Sequence, residues 1–521
     1  MIGNSSYSIG PLKNPANDAT AIAEQLKRQG FEVTLGLDVR RDEMLQLIGA
    51  YSQALARTKP MALFYFAGHG LQIAWRNYLV PIDATIAQPK DVQERCVDVN
   101  AVIEGIGKAA NPMNVVILDA CRDNPFAAQS RVEQKGLSQL DAPPWTLLAY
   151  ATSPGNIAID GDGANSLYTE HLLREIKVPE AKIEDVFKRV RLGVRRRSGG
   201  RQIPWESTSL EEDFWFIPPK SVLLLAQEEA ERARRSPEAP EAEHARLEQL
   251  EKARQDERER EYQAESALWE KADGAKEPGL LEEYLRRYPS GRFSELAQLQ
   301  LDRVLAAQGE KKIQIGSAHG NPFTKGSALA DTGYKIGDSY TFAGHDRVKQ
   351  ETRRFTQRVT QVTDNEIIFN DGRLVFDRLG NLLKLPDGRR YTGRQDYPLE
   401  FAIGKKWKTR YSVKNEMGAR WEPEFEFRIV RRERVSVPAG SFDCFVIEGE
   451  GWSSTERGFK VLHNLKRWMA PDKCRRAIVT EQFHRIEGLV GRPFGFGKKG
   501  TGRFGEVLRD DRFELVAFSQ S

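Results

Sequence analysis

Four short apolar runs, Phe31–Leu35, Met61–Phe66, Val115–Leu118 and Thr146–Tyr150, alternate with segments of helical period in the first 217 residues. A near-continuous apolar run suits a strand covered on both faces. Its alternation with helices predicts an α/β domain with a mostly parallel sheet over residues 1–217. The helical segments carry their own marks. Asn14-Pro15 opens one that runs to about Gln29, with Ile22, Ala23 and Leu26 on one face and Gly30 as its stop. In the next, Met44, Ile48, Tyr51 and Leu55 follow at helical spacing.

The remainder of the chain reads differently. Pro218-Pro219 closes the first unit, and residues 218–265 form a charged helical linker. From Glu228 to Glu261, 20 of 34 residues are charged and Pro237 and Pro240 interrupt them, so this is a solvated connector and not a core. Residues 266–310 predict a short helical hairpin around the Tyr284–Gly291 turn, resembling a single tetratricopeptide-type repeat. Over 317–521 the period changes to two: Trp421, Phe425, Phe427 and Ile429 alternate with Glu422, Glu424, Glu426 and Arg428. Asn370-Asp371-Gly372, Pro386-Asp387-Gly388 and Pro438-Ala439-Gly440 supply turns. The expectation is an antiparallel, all-β C-terminal domain, either a sandwich or a half-open barrel, resembling uncharacterised modules of bacterial envelope proteins.

Composition sets outer bounds. A chain of 521 residues that is 40% apolar and 29% charged is neither disordered nor fibrous. No apolar run reaches the length of a spanning helix, and no signal peptide is evident. The net charge of +4 hides an asymmetry: residues 317–521 carry 37 Lys+Arg against 27 Asp+Glu, leaving the first 316 residues acidic. Such a tail could meet an anionic partner or merely bear scattered arginines. Nucleic acid is not expected, because no helix-turn-helix or aromatic-studded basic strand accompanies the charge. Four cysteines are too few for a disulfide framework. Cys444 and Cys474 suit either a bond or two free thiols, and Cys96 reads as a packing residue.

Two loops concentrate the chemistry. Ala67-Gly68-His69-Gly70 follows the strand ending at Phe66, and Asp119-Ala120-Cys121-Arg122-Asp123 follows the strand ending at Leu118. Ligands of open parallel sheets bind outside the carboxyl ends of the strands. A thiol and an imidazole at neighbouring strand ends make a nucleophile and its base. The Gly70 and Cys121 backbone N–H groups are candidates for an oxyanion hole. Taken singly, a buried Cys is usually inert and a His after a strand is usually structural. Together at two strand ends they point to catalysis. No residues have zinc-ligand spacing, so no metal is expected.

Residues 1–217 resemble the caspase-like cysteine peptidases, specifically their bacterial relatives of the metacaspase and orthocaspase type. The resemblance rests on Met1-Ile2-Gly3-Asn4, Asn17-Asp18-Ala19, Tyr65-Phe66-Ala67-Gly68-His69-Gly70, Tyr78-Leu79-Val80-Pro81-Ile82-Asp83 and Ile117-Leu118-Asp119-Ala120-Cys121-Arg122. The 52 residues from His69 to Cys121 fit the interval of about 50 found in caspases. It implies a Cys121–His69 dyad that forms an acyl-enzyme, and an acidic pocket at Asp18 and Asp119. Caspases that choose aspartate carry Gln where this chain has Asp119, so selectivity for Arg or Lys before the cut bond is implied. Asp18 can equally be read as a helix-start residue.

Several details differ from the family pattern. Ala67 stands where metacaspases often have Ser, and the short segment between Gly70 and Tyr78 holds no acidic residue. Calcium independence, with no cofactor, is therefore expected. Residues 127–144 form a polar stretch where caspases are cut during maturation; Arg131 and Lys135 are candidate self-cleavage points, the alternative being an uncut surface loop. Arg195-Arg196-Arg197 ends a helix, where cations suit the dipole. Relatives begin with more apolar residues than Met1-Ile2, so the first strand is either truncated or completed by a partner. The compartment follows that choice: envelope or periplasm for a truncated start, otherwise cytoplasm. Two functions compete: a cysteine endopeptidase whose substrates carry a basic residue, or a non-catalytic scaffold with a basic envelope-binding β domain whose partner is unknown.

Overall fold

The computed structural model describes residues 1–120, 126, 137–220, 256–257, 259–310, 321–454, 459–489 and 505–521. They divide into two compact units, one of Met1–Pro289 with Val304–Thr324, the other of Ser290–Arg303 with Lys325–Ser521.

In the first unit, strands β1 (Ile2–Gly3), β2 (Gly36–Leu37), β3 (Ala62–Ala67), β7 (Asn114–Asp119), β8 (Thr146–Tyr150) and β9 (Trp205–Thr208) form one sheet in the order β2-β1-β3-β7-β8-β9. Only β9 runs antiparallel. Every residue of β3, β7 and β8 is buried, as their apolar runs require. Helices α1 (Pro15–Arg28), α5 (Leu167–Glu175) and α6 (Ile183–Arg197) pack in succession, as do α2 (Arg41–Thr58) and α4 (Val99–Lys108). Gly30, at a φ of +86°, follows α1 as its stop.

Four local expectations need correction. Phe31–Leu35 is not a strand: only Gly36–Leu37 joins the ladder, because its neighbour β1 offers two residues for pairing. Phe31, Val33 and Leu35 nonetheless pack on the core. The segment after Gly70 is a hairpin and not a loop, with β4 (Gly70–Ile73) paired to β5 (Arg76–Leu79), which in turn pairs with β6 (Val97–Asp98). The arginine run Arg195–Arg197 does more than suit a dipole, since Glu310 pairs with Arg195 at 2.7 Å, Glu282 with Arg196 at 2.5 Å and Glu170 with Arg197 at 3.7 Å. After the linker come a helical stretch over 259–272, α7 (Pro278–Arg287) and α8 (Ser294–Ala307), three helical pieces in place of one hairpin.

The second unit is built on long antiparallel strands: β10 (Ser339–Asp346), β11 (Glu351–Val362), β12 (Glu424–Val437), β13 (Gly440–Ser454), β14 (Phe459–Met469), β15 (Val479–Leu489) and β16 (Val507–Ser519). They lie side by side as β12-β13-β14-β15-β16-β10-β11, with shorter strands extending the sheet at both ends. Burial alternates along β12 as its period of two predicts, with Phe425, Phe427 and Ile429 inward. Cys444 and Cys474 are free and buried. Burial pushes their thiols up to about 12 and about 11, so neither is reactive.

One consequence for stability follows from β14 and β15. The rings of His463 and His484 lie 4.3 Å apart between centroids. Burial, then the Arg394 and Arg509 guanidinium groups, lowers His463 to about 4. Burial, then His463 itself, lowers His484 to about 3. The unfolded chain takes up protons at these positions below about 6.5, whereas the folded one does not until far lower. Stability of this unit is therefore expected to fall as pH drops from 7 towards 4. Thermal melts of wild type and His484→Phe across that range test it: the substitution should flatten the slope, and an unchanged slope would remove these histidines from the account.

Candidate active site

Three strand ends converge on His69. β3 and β7 pair in register, with Ala67 beside Asp119. Gly68 then donates to the Asp119 carbonyl at 3.2 Å, which carries the pairing past the strand ends. Gly68 sits at a φ of +154°, and a Cβ there would lie 2.5 Å from the Tyr7 hydroxyl. Only glycine meets both conditions. A Cβ on Gly70 would lie 2.5 Å from the Ala120 carbonyl oxygen, so the two loops touch backbone to backbone.

The His69 ring is held by the segment that follows β1. Its Nε2 lies 2.6 Å from the Gly10 carbonyl oxygen. A carbonyl can only accept, so the neutral ring carries its proton on Nε2 and leaves Nδ1 as the basic nitrogen. The Tyr7 hydroxyl accepts from the His69 backbone N–H at 3.0 Å and donates to the Val80 carbonyl at 3.0 Å. The Tyr7 ring packs on the imidazole with centroids 4.5 Å apart. Asn4, fully buried, ties the same corner together: its amide donates to the Val39 and Val80 carbonyls, and its oxygen accepts from Val39 N–H. Sequence reasoning singled out the Met1–Asn4 segment but not Tyr7 or Gly10.

Cys121 lies outside the described residues, as do Arg131 and Lys135. The last described residue before that gap is Ala120, buried beside Gly70. Beyond it, Leu137, Ser138, Gln139 and Leu140 are buried, so this end of the polar 127–144 stretch packs into the domain, against the alternative of a surface loop there. Ser138 is gripped by the β4–β5 hairpin: its N–H donates to Asn77 Oδ1 at 2.7 Å and its hydroxyl to the Trp75 carbonyl at 2.6 Å.

Asp18 and Asp119 form one buried group. Neither carboxylate has solvent exposure. Asp18 sits in the first turn of α1, yet its carboxylate does not cap that helix. Its Oδ1 accepts instead from Asn165 Nδ2 and from the Ser166 backbone N–H, both at 2.9 Å. Ser166 caps the start of α5 and donates its hydroxyl to Asp119 Oδ2 at 2.6 Å. Thr169, one turn on, donates to the same oxygen at 3.3 Å and lies 2.7 Å from the Tyr65 hydroxyl, which therefore donates to it. Asp18 Oδ2 is buried without a hydrogen-bond partner. Burial, and then the Asp119 charge, raises Asp18 to about 7, against the pull of Asn165 and Ser166. Burial and the same two carboxylates hold the Tyr65 phenol well above its usual range.

A match to a known family places this sheet, with His69 beyond one strand end and an acid pair beside the next, in a caspase-type domain, a cysteine-peptidase-type fold. The caspase domain family matches residues 1–215. The mucosa-associated lymphoid tissue lymphoma translocation protein 1 homolog of Mus musculus is 31% identical over 124 residues, covering 23% of this chain and 14% of that protein. Its Homo sapiens counterpart is 30% identical over the same length and shares. The chain thus spans about a seventh of the curated relatives it matches.

Proposed function

We propose that this chain is a cysteine endopeptidase of the metacaspase type, cutting after Arg or Lys with Cys121 as nucleophile and His69 as base. The observation that carries the reading is the register of β3 on β7. His69 stands two residues beyond Ala67 and Cys121 two residues beyond its ladder partner Asp119, with Gly70 against Ala120. In this reading His69 Nδ1 takes the Cys121 thiol proton as the sulfur attacks the scissile carbonyl carbon. The Gly70 and Cys121 backbone N–H groups receive the oxyanion. The proton passes to the departing amine, and water, deprotonated by the same imidazole, hydrolyses the thioester.

The acid pair supports basic selectivity. Two carboxylates pressed together in a dry site repel, and Asp18 responds by holding its proton up to about 7. A guanidinium entering between them relieves that repulsion and satisfies Asp18 Oδ2, so Arg is favoured over Lys. Because the pair is fully buried, this reading requires its surroundings to part as the side chain enters. Self-processing at Arg131 or Lys135 belongs to the same proposal, as does an unidentified partner for the β domain.

The test is hydrolysis of matched fluorogenic peptides ending in Arg, Lys, Gln or Asp, with and without calcium. Cleavage after Arg and Lys, unaffected by calcium, is expected; cleavage after Asp alone would overturn the pocket assignment. Within the same assay Tyr7→Phe examines how His69 is positioned. Losing the hydroxyl removes the acceptor that Tyr7 gives the His69 N–H, while the Val80 carbonyl keeps its bond from Asn4, a penalty of about 1–3 kcal/mol. The expected result is a kcat lowered about tenfold with KM unchanged. An unchanged kcat would mean that Gly10 alone orients the ring.

A further inference from the structure

α5, α6 and α7 enclose an open cavity of about 760 Å³, lined by neither His69 nor the acid pair. Arg174, Arg189, Arg196, Arg197 and Arg286 face it against Glu175 and Glu282, with Glu170 beside Arg197 and Glu310 beside Arg196. The two lining glutamates are already engaged. Glu175 lies 3.0 Å from Arg174 and 3.2 Å from Arg189, and Glu282 lies 2.5 Å from Arg196.

Buried donors at the wall point the same way. His171 is 5% exposed, and its Nδ1 lies 2.5 Å from Arg174 Nη2. A guanidinium can only donate, so Nδ1 accepts and the ring proton sits on Nε2. That Nε2 is buried with no hydrogen-bond acceptor. Arg189 Nε and Nη2 are likewise buried without one, although Nε lies within ion-pair distance of Glu175. Gly193 lets the imidazole seat here, since a Cβ at that position would lie 2.3 Å from His171 Nδ1. Burial, then Arg174 and Arg197, lowers His171 to about 4, so the ring is a neutral donor at physiological pH.

Unsatisfied buried donors cost free energy until an acceptor arrives. Clustered arginines favour an anion with several oxygens that accept in pairs. We propose that this cavity binds a phosphate-class polyanion, of which pyrophosphate and tripolyphosphate are the simplest members. Phosphate oxygens would accept from the arginine forks that the glutamates leave open; reaching the buried His171 Nε2 requires the cavity wall to part. Ser166 and Thr169, which hold Asp119, begin the helix that carries His171 and Arg174, so the cavity lies about one turn from the acid pair.

Titration calorimetry of the full chain with pyrophosphate and tripolyphosphate tests this. One saturable site is expected, weakened by added salt and weakened at least tenfold in the double variant Arg174→Gln, Arg286→Gln. Arg174 is more than half exposed and Arg286 is exposed, so both substitutions leave the core intact; circular dichroism checks it. Saturation should also shift the His171 ring protons in NMR spectra. Absence of saturable binding, or equal affinity in the double variant, would overturn the proposal. So would tighter binding of a polyglutamate peptide than of tripolyphosphate, which would assign the cavity to an acidic protein segment.

Discussion

Replacing Cys121 by Ala is expected to abolish cleavage of Arg and Lys peptides, and His69→Ala to lower kcat about 10³–10⁴-fold. The size of the second effect follows from what the imidazole does. Its Nδ1 removes the thiol proton during attack and returns it to the leaving amine, so both halves of acylation lose their proton carrier. A free thiol remains a few per cent ionised at neutral pH, which leaves His69→Ala a residual rate where Cys121→Ala has none. Because the two groups act as a unit, the double variant should be no worse than Cys121→Ala alone. Each variant is to be measured with the same peptide, beside a melt that confirms folding. Full activity in Cys121→Ala would place the nucleophile elsewhere. An equal loss from Tyr7→Phe and His69→Ala would instead mean that ring position, not proton transfer, limits the rate.

The elements that carry this chemistry are legible because they are long apolar runs with short polar ends. Ala62–Ala67 and Asn114–Asp119 announce themselves as buried strands, and whatever follows such strands stands at the ligand-binding edge of a parallel sheet. What holds His69 is not legible in that way. Gly10 contributes a backbone carbonyl, which every residue possesses, and Tyr7 contributes a hydroxyl that reaches His69 only once β1 lies beside β3. Ser166 does carry a local signal, a serine at a helix start, yet its link to Asp119 spans 47 residues and depends on the packing of α5. The β4–β5 hairpin escapes detection for a different reason. Its turn residues Ala74 and Trp75 adopt φ values of +48° and +68°, where Asn-Gly is the usual signal. That turn is held from outside, through the Ser138 hydroxyl on the Trp75 carbonyl. The edge at Phe31–Leu35 misleads in the opposite sense, since its apolar pattern serves packing while pairing is limited by the two residues of β1.

Replacing Asp119 by Asn is expected to lower kcat/KM for Arg peptides about 10²-fold while leaving Gln peptides nearly unaffected. Truncating one member of a buried charge pair costs about 2–5 kcal/mol, and about 3 kcal/mol corresponds to that factor. Asp18→Asn should lower it too, but with a distinct pH signature. With Asp18 raised to about 7, the pocket gains a negative charge as pH rises through that value. Wild-type kcat/KM for Arg should therefore climb through pH 7 more steeply than for Gln, and Asp18→Asn should erase the difference. Stability runs the other way. The folded chain keeps the Asp18 proton up to about 7, whereas the unfolded carboxyl loses it near 3.9. The native state thus holds the extra proton between those values, and stability falls as pH rises through that window. Asp18→Asn should melt with a flatter pH dependence there. The Gln peptide separates this from titration of the dyad, which acts on both substrates alike. An Asp119→Asn enzyme that still prefers Arg to Gln would detach the acid pair from selectivity and leave it as a buried brace between α1, β7 and α5.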